Sequence, residues 1–243
     1  MTQDRPLALG EADAGAGRAV SLRGITAGYN KGAVLRGLDF HARGGETAVI
    51  VGAASVGKSV LLDVIRAVLD PVEGDVSVLG AEPIRLSGRR RAKLKRQIGF
   101  VGQQPRLMEH LTAFENVALP LRLAGAKSTD FAADVEELLR FLGMPEDEKR
   151  AVETLSGSAR RRVAVARAVV SQPRLLLADE PTAGLAPEMA SRVLRLLVSM
   201  RRAGSAVIVA TQDEGVAAQL AGPRWRLAEG RTVLDAPALE SAN

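Results

Sequence analysis

Three short stretches of this chain are apolar at nearly every position: Thr47-Ala48-Val49-Ile50-Val51, Leu175-Leu176-Leu177-Ala178 and Ala206-Val207-Ile208-Val209-Ala210-Thr211. Runs of that length without polar alternation predict strands covered on both faces, the pattern of a parallel sheet. Ahead of the first run, Val20-Ser21-Leu22-Arg23-Gly24-Ile25 alternates like a half-exposed strand. A turn at Gly28-Tyr29-Asn30-Lys31-Gly32 and a second strand over Ala33 to Ala42 follow, and Gly44-Gly45-Glu46 leads into the first buried run. Val60, Leu61, Leu62, Val64 and Ile65 then take helical spacing, and Val76-Ser77-Val78-Leu79-Gly80 and Ile98-Gly99-Phe100-Val101-Gly102 read as further strands. Between about 104 and 160 the pattern turns helical, with Leu107 to Gly125 broken at Pro120 and Phe131 to Leu142 stopping at Gly143. Leu155-Ser156-Gly157-Ser158 caps another apolar helix through Val170, and a helix from Pro187 to Arg202 separates the last two buried runs. The tail predicts a small strand pair, Trp225-Arg226-Leu227 and Thr232-Val233-Leu234. The pattern is that of an α/β domain over 20–243 with a helical insertion at about 104–160, preceded by an Ala- and Gly-rich extension, 1–19, expected to be flexible.

Composition narrows the chemistry. With 243 residues, 47% apolar and 25% charged, the chain has an ordinary globular balance and can bury a large core. It has no cysteine, which removes disulfides and thiolate metal sites, and only two histidines, His41 and His110. No apolar run approaches the ~18 residues of a membrane span, and a cytoplasmic location is expected. Arg85, Arg89, Arg90, Arg91, Lys93, Lys95 and Arg96 form a basic run, read first as a solvated helix face. No aromatic residue interleaves with these charges, so nucleic acid is not an expected partner.

The first buried run opens into Gly52-Ala53-Ala54-Ser55-Val56-Gly57-Lys58-Ser59, followed by Val60. This fills every fixed position of the pattern G-x-x-x-x-G-K-[ST], a phosphate-binding loop. Its glycines let successive backbone N–H groups turn inward onto phosphate oxygens, and the helix that starts near Lys58 adds the positive end of its dipole. Lys58 supplies a cation for the β- and γ-phosphates, and the Ser59 hydroxyl suits Mg²⁺. The second buried run ends in Asp179-Glu180, and the third delivers Gln212-Asp213 to the same edge of a parallel sheet, where ligands bind. Tyr29, the only tyrosine, is either a base-stacking platform or a cover for its turn. Ser156, Gly157 and Ser158 at a helix start serve a cap or a phosphate equally well.

The order of these pieces resembles the ATP-binding subunits of ABC transporters from about Val20 to the end. Gln103 matches the family's Q-loop, Leu155-Ser156-Gly157 the start of its signature, and Asp179-Glu180-Pro181-Thr182 its Walker B segment. Arg96-Gln97-Ile98-Gly99, Glu115-Asn116-Val117-Ala118-Leu119-Pro120-Leu121 and Ala166-Arg167-Ala168-Val169-Val170 look most like the cell-division branch, FtsE. Lipoprotein-release and macrolide-export ATPases share much of this wording. The resemblance implies a P-loop NTPase core with a small antiparallel β subdomain, ATP and Mg²⁺ as cofactors, and Tyr29 against the adenine. It also implies that Ser59, Gln103 and Asp179 hold Mg²⁺, that Glu180 acts on the attacking water, and that Gln103 and Gln212 sense the γ-phosphate. Ser156 to Ser158 would contact the ATP of a second subunit. The implied assembly is a homodimer, or a pair of related ATPase subunits, peripheral on the cytoplasmic side of the inner membrane through an FtsX-like permease subunit.

Four positions, in three segments, depart from the family's usual wording. The signature reads Leu155-Ser156-Gly157-Ser158-Ala159 where L-S-G-G-Q is usual, Ala186 stands where Asp is usual after Leu185, and Gln212 replaces the switch histidine. Glutamine donates a hydrogen bond but cannot titrate, so ATP binding with slow hydrolysis is expected. A non-hydrolytic, ATP-gated scaffold is the alternative from another class. A kinase or GTPase is remote, because Asn30-Lys31 is followed by Gly32-Ala33 and precedes the phosphate loop, leaving the Asn-Lys-x-Asp element for guanine unmatched.

Overall fold

A computed structural model describes residues 17–29 and 32–235. Two sheets share the work. Strands β1 (Arg18–Ala27), β2 (Leu35–Arg43) and β4 (Glu73–Val78) form an antiparallel sheet in the order β2-β1-β4. The central sheet runs β5-β6-β7-β3-β8-β9, from β3 (Thr47–Val51), β5 (Ile98–Val101), β6 (Leu175–Asp179), β7 (Ala206–Thr211), β8 (Arg224–Ala228) and β9 (Arg231–Asp235). Its first five strands are parallel and only β9 is antiparallel, to β8.

Side chains of a strand alternate between faces, so the three buried runs feed two cores. Ile50, Leu175, Leu177 and Ile208 point toward α1 (Lys58–Ile65) and the antiparallel sheet. Val49, Val51, Leu176, Ala178, Val207 and Val209 point toward the helical side. That side comprises α3 (Ala113–Leu123), α4 (Ser128–Phe141), α5 (Gly157–Val169) and α6 (Pro187–Arg202), beyond the short basic α2 (Gly88–Lys95). A five-residue α7 (Glu214–Ala218) follows β7.

The strand register sets the site. Val51 lies opposite Thr211, and Asp179 opposite Ala210, so the carboxyl ends of β3, β6 and β7 come to one edge.

Some expectations change. Pro120 lies inside α3 instead of breaking it. Thr112 caps that helix, accepting from Glu115 N at 3.1 Å while the Glu115 carboxylate accepts from Thr112 N at 3.0 Å, and the proline removes only one bond near the other end. The helix expected after Leu155-Ser156-Gly157-Ser158 through Val170 is α5, Gly157–Val169. The tail strands pair as expected, β8 antiparallel to β9, and β8 also joins the central sheet beside β3. The extension expected for 1–19 lies outside the described residues up to 16, and β1 already begins at Arg18. In the basic run Arg91 turns inward to Asp70 and the Ala67 carbonyl, while its neighbours Arg89, Arg90 and Lys93 stay exposed.

Candidate functional site

The loop from Gly52 to Gly57 is held tight from below. A Cβ on Gly52 would stand 2.6 Å from the Leu227 carbonyl, and Gly57, at φ +114°, would meet Val34 at 2.9 Å. These positions need glycine because β8 and the start of β2 close on them. Gly57 then begins α1, and Lys58 and Ser59 occupy its first turn.

Lys58 is buried, and its Nζ donates to the Gly52 and Ala53 carbonyls at 2.8 and 2.9 Å. The same ammonium lies 3.7 Å from Glu180 Oε1. Ser59 Oγ donates to Asp179 Oδ2 at 2.5 Å, joining α1 to the end of β6. Asp179 is buried, which raises its pKa; the Ser59 hydrogen bond opposes this, and the neighbouring Glu180 adds to it.

Glu180 follows β6 with φ +49°, a left-handed conformation that is costly for a side-chain-bearing residue and recurs at functional sites. Its carboxylate is held on both oxygens. Thr211 Oγ1 donates to Oε2 at 2.9 Å, and the Gln212 backbone N–H donates to Oε1 at 2.8 Å. Thr211 Oγ1 in turn accepts from Asp213 N at 3.0 Å. Gln212 therefore reaches Glu180 through its main chain, while its side chain is exposed.

Gln103 follows β5 with an exposed side chain, and its carbonyl accepts from Arg161 Nη2 of α5 at 2.8 Å. Ser156 caps α5, accepting from Ala159 N at 3.2 Å, and a Cβ on the next residue, Gly157, would meet nothing within 4 Å in its own chain. Tyr29 is 48% exposed, and its hydroxyl donates to Asp63 of α1. Burial of the hydroxyl, reinforced by Asp63, pushes its pKa up to about 12.

One edge thus gathers Lys58, Ser59, Asp179 and Glu180, with Gln212 alongside and Gln103 tied in through α5. Among the described residues, no group of three or more His, Cys, Asp or Glu could hold a metal alone. The oxygen set of Ser59 and Asp179 still fits Mg²⁺, a hard cation that keeps several waters and takes its other ligands from phosphates. Two residues of the site were not legible beforehand, Thr211 and Arg161. Their signals are a polar residue closing an apolar strand, and three consecutive arginines opening an apolar helix.

The ABC transporter family model matches residues 35–183, from β2 through the phosphate loop to the end of the Walker B segment. This chain belongs to the ABC transporter family. It is 38% identical over 217 residues to the lipoprotein-releasing system ATP-binding protein LolD of Geobacter metallireducens, covering 87% of this chain and 96% of that protein. It is also 38% identical over 179 residues to the cell division ATP-binding protein FtsE of Escherichia coli, covering 74% and 81%. The dimeric post-hydrolysis structure of the ATP-binding cassette MJ0796, bound to ADP and Pi, superposes with a TM-score of 0.82 at 31% identity, covering 89% of this chain and 97% of that one. The fold is the ABC ATPase fold. FtsE, the branch expected from sequence phrases, stands level in identity with LolD.

Proposed function

We propose that this chain is the ATP-hydrolysing subunit of a membrane complex, working as a dimer with each ATP held between one subunit's phosphate loop and the other's Ser156 to Ser158. The convergence of Lys58, Ser59, Asp179 and Glu180 on one sheet edge carries this reading. Lys58 is poised to exchange the Gly52 and Ala53 carbonyls for phosphate oxygens, and Ser59 and Asp179, with Gln103, are the residues to hold Mg²⁺. When bound, Mg²⁺ neutralises charge on the phosphate oxygens. Glu180, aimed by Thr211 and Gln212 N, orients the attacking water and accepts its proton. Tyr29 stacks on the adenine once its ring turns to the base.

The open surroundings of Gly157 support a dimer, since its own fold does not require glycine there. Ser158, Ala159, Ala186 and Gln212 support slow turnover: loss of one preorganised donor commonly lowers rates by about 10²–10³. The membrane partner is a permease-type subunit, with the ATPase peripheral on its cytoplasmic face. Equal identity to FtsE and LolD supports two settings, division and lipoprotein release.

Purification from membranes with its partner, followed by ATP turnover with and without that partner, tests the reading. A bound permease of either type and turnover well below ~10 s⁻¹, the median for enzymes, are expected. Turnover near that median would refute slow hydrolysis, and failure to bind ATP would refute the assignment.

A further inference from the structure

Three arginines on α5 reach the loop that follows β5. Arg161 Nη2 donates to the Gln103 carbonyl at 2.8 Å, Arg167 Nη2 to the Arg106 carbonyl at 2.7 Å, and Arg160 Nη2 pairs with Glu109 at 2.5 Å. Of the three, Arg161 goes further. Its Nη1 donates at 3.2 Å to the carbonyl of Glu180, which also accepts from Ala183 N at 3.2 Å. One planar guanidinium thus spans two main-chain carbonyls, one in the Gln103 loop and one at the carboxylate expected to act on water. A fixed fork of donors suits that task, whereas a lysine ammonium presents a single point.

Glu180 holds a positive φ, so the direction of its side chain depends on what fixes its backbone. Arg161 also stands five residues beyond the Ser156 cap, ~7.5 Å along the helix axis. A displacement of the α5 N-terminus therefore reaches Glu180 through about one and a half turns of helix.

We infer that Arg161 is a positioning residue that locks α5 to the Gln103 and Glu180 main chain, so that nucleotide of a second subunit at Ser156 and Gly157 sets the Glu180 carboxylate in this subunit's site. The inference rests on the dimeric ATPase reading above. Through Arg161, occupancy of one ATP site would govern the geometry of the other.

The test uses the full chain and its Arg161→Ala, Arg161→Lys and Arg167→Ala variants. ATP affinity is read with a fluorescent ATP analogue, and turnover at saturating Mg²⁺ and ATP. Arg161→Ala should lower kcat by roughly 10–100-fold, the range a misplaced catalytic group produces, with affinity within about twofold of the parent. Arg161→Lys should recover only part of the loss. Arg167→Ala frees the same loop without touching Glu180 and should leave kcat much closer to the parent than Arg161→Ala does. Undiminished kcat in Arg161→Ala, or an equal loss in Arg167→Ala, overturns the inference while leaving the ATPase reading intact. Failure of the parent chain to bind ATP overturns both. Where ATP binds without measurable turnover, hydrogen exchange decides: ATP should protect the Ala183 amide in the parent and less in Arg161→Ala, and equal protection overturns the inference.

Discussion

Thr211→Val removes a single hydroxyl from the site and keeps nearly the same shape. Thr211 is 1% exposed and Glu180 is 8% exposed, so water cannot readily replace the lost donor. The change deletes the 2.9 Å bond to Glu180 Oε2 and the 3.0 Å acceptor of Asp213 N. A hydrogen bond to a charged group contributes about 1.5–3 kcal/mol, and a neutral one about 0.5–1.5. The combined loss is about 2–4.5 kcal/mol, and at about 2–4 °C per kcal/mol for a chain of this size the melting temperature should fall by roughly 4–18 °C. Thermal unfolding followed by the fluorescence of Trp225, the only tryptophan, which packs against Phe40 at 5.1 Å, reads this directly. Thr211→Ser retains the hydroxyl and should stay close to the parent. A Thr211→Val protein that melts within a degree of the parent would refute the claim that Thr211 carries the Glu180 carboxylate.

Other expectations follow from the same geometry. Lys58→Ala should weaken ATP binding by about 10–150-fold, the equivalent of about 1.5–3 kcal/mol for hydrogen bonds to a charged group, measured by titration with a fluorescent analogue. Gly157→Ala should leave the melting temperature of the isolated chain unchanged, because its Cβ meets nothing within 4 Å, while abolishing ATP-dependent dimerisation in size-exclusion chromatography. Burial raises the Asp179 pKa above its ordinary 3.8, so the folded chain binds this proton more readily than the unfolded one. Its contribution to stability is therefore fully present below that value and is lost as pH rises through the raised one. Denaturant midpoints of the nucleotide-free chain across that window should fall with pH more steeply in the parent than in Asp179→Asn.

The features readable in the sequence are those written in local spacing. The phosphate loop, the buried strand runs and the two acids closing one of them each need only neighbouring residues, and each stands where its pattern predicts. What could not be read depends on contacts between distant segments. Thr211 gains its role only because β7 lies beside β6 in a register that sets Asp179 opposite Ala210. Arg161 reads as one more charge until α5 packs across the ends of β5 and β6. Pro120 predicts a break by itself, and the capping box of Thr112 with Glu115 outweighs it. The tail strands read as a pair, which they form, but nothing local says that β8 will also lie alongside β3.

Glu180, held at the phosphate loop, is the group we propose to act on the attacking water. ATP turnover and ATP binding of Glu180→Gln, measured beside the parent chain, test it most directly. Glutamine keeps the size and can still accept from Thr211 or Gln212 N, but it has no charge with which to take a proton. If Glu180 takes that proton, a slow but measurable parent turnover should fall by at least about 100-fold in the variant, the low end of what a general base contributes, with ATP affinity retained. A Glu180→Gln chain that hydrolyses ATP as fast as the parent would contradict it.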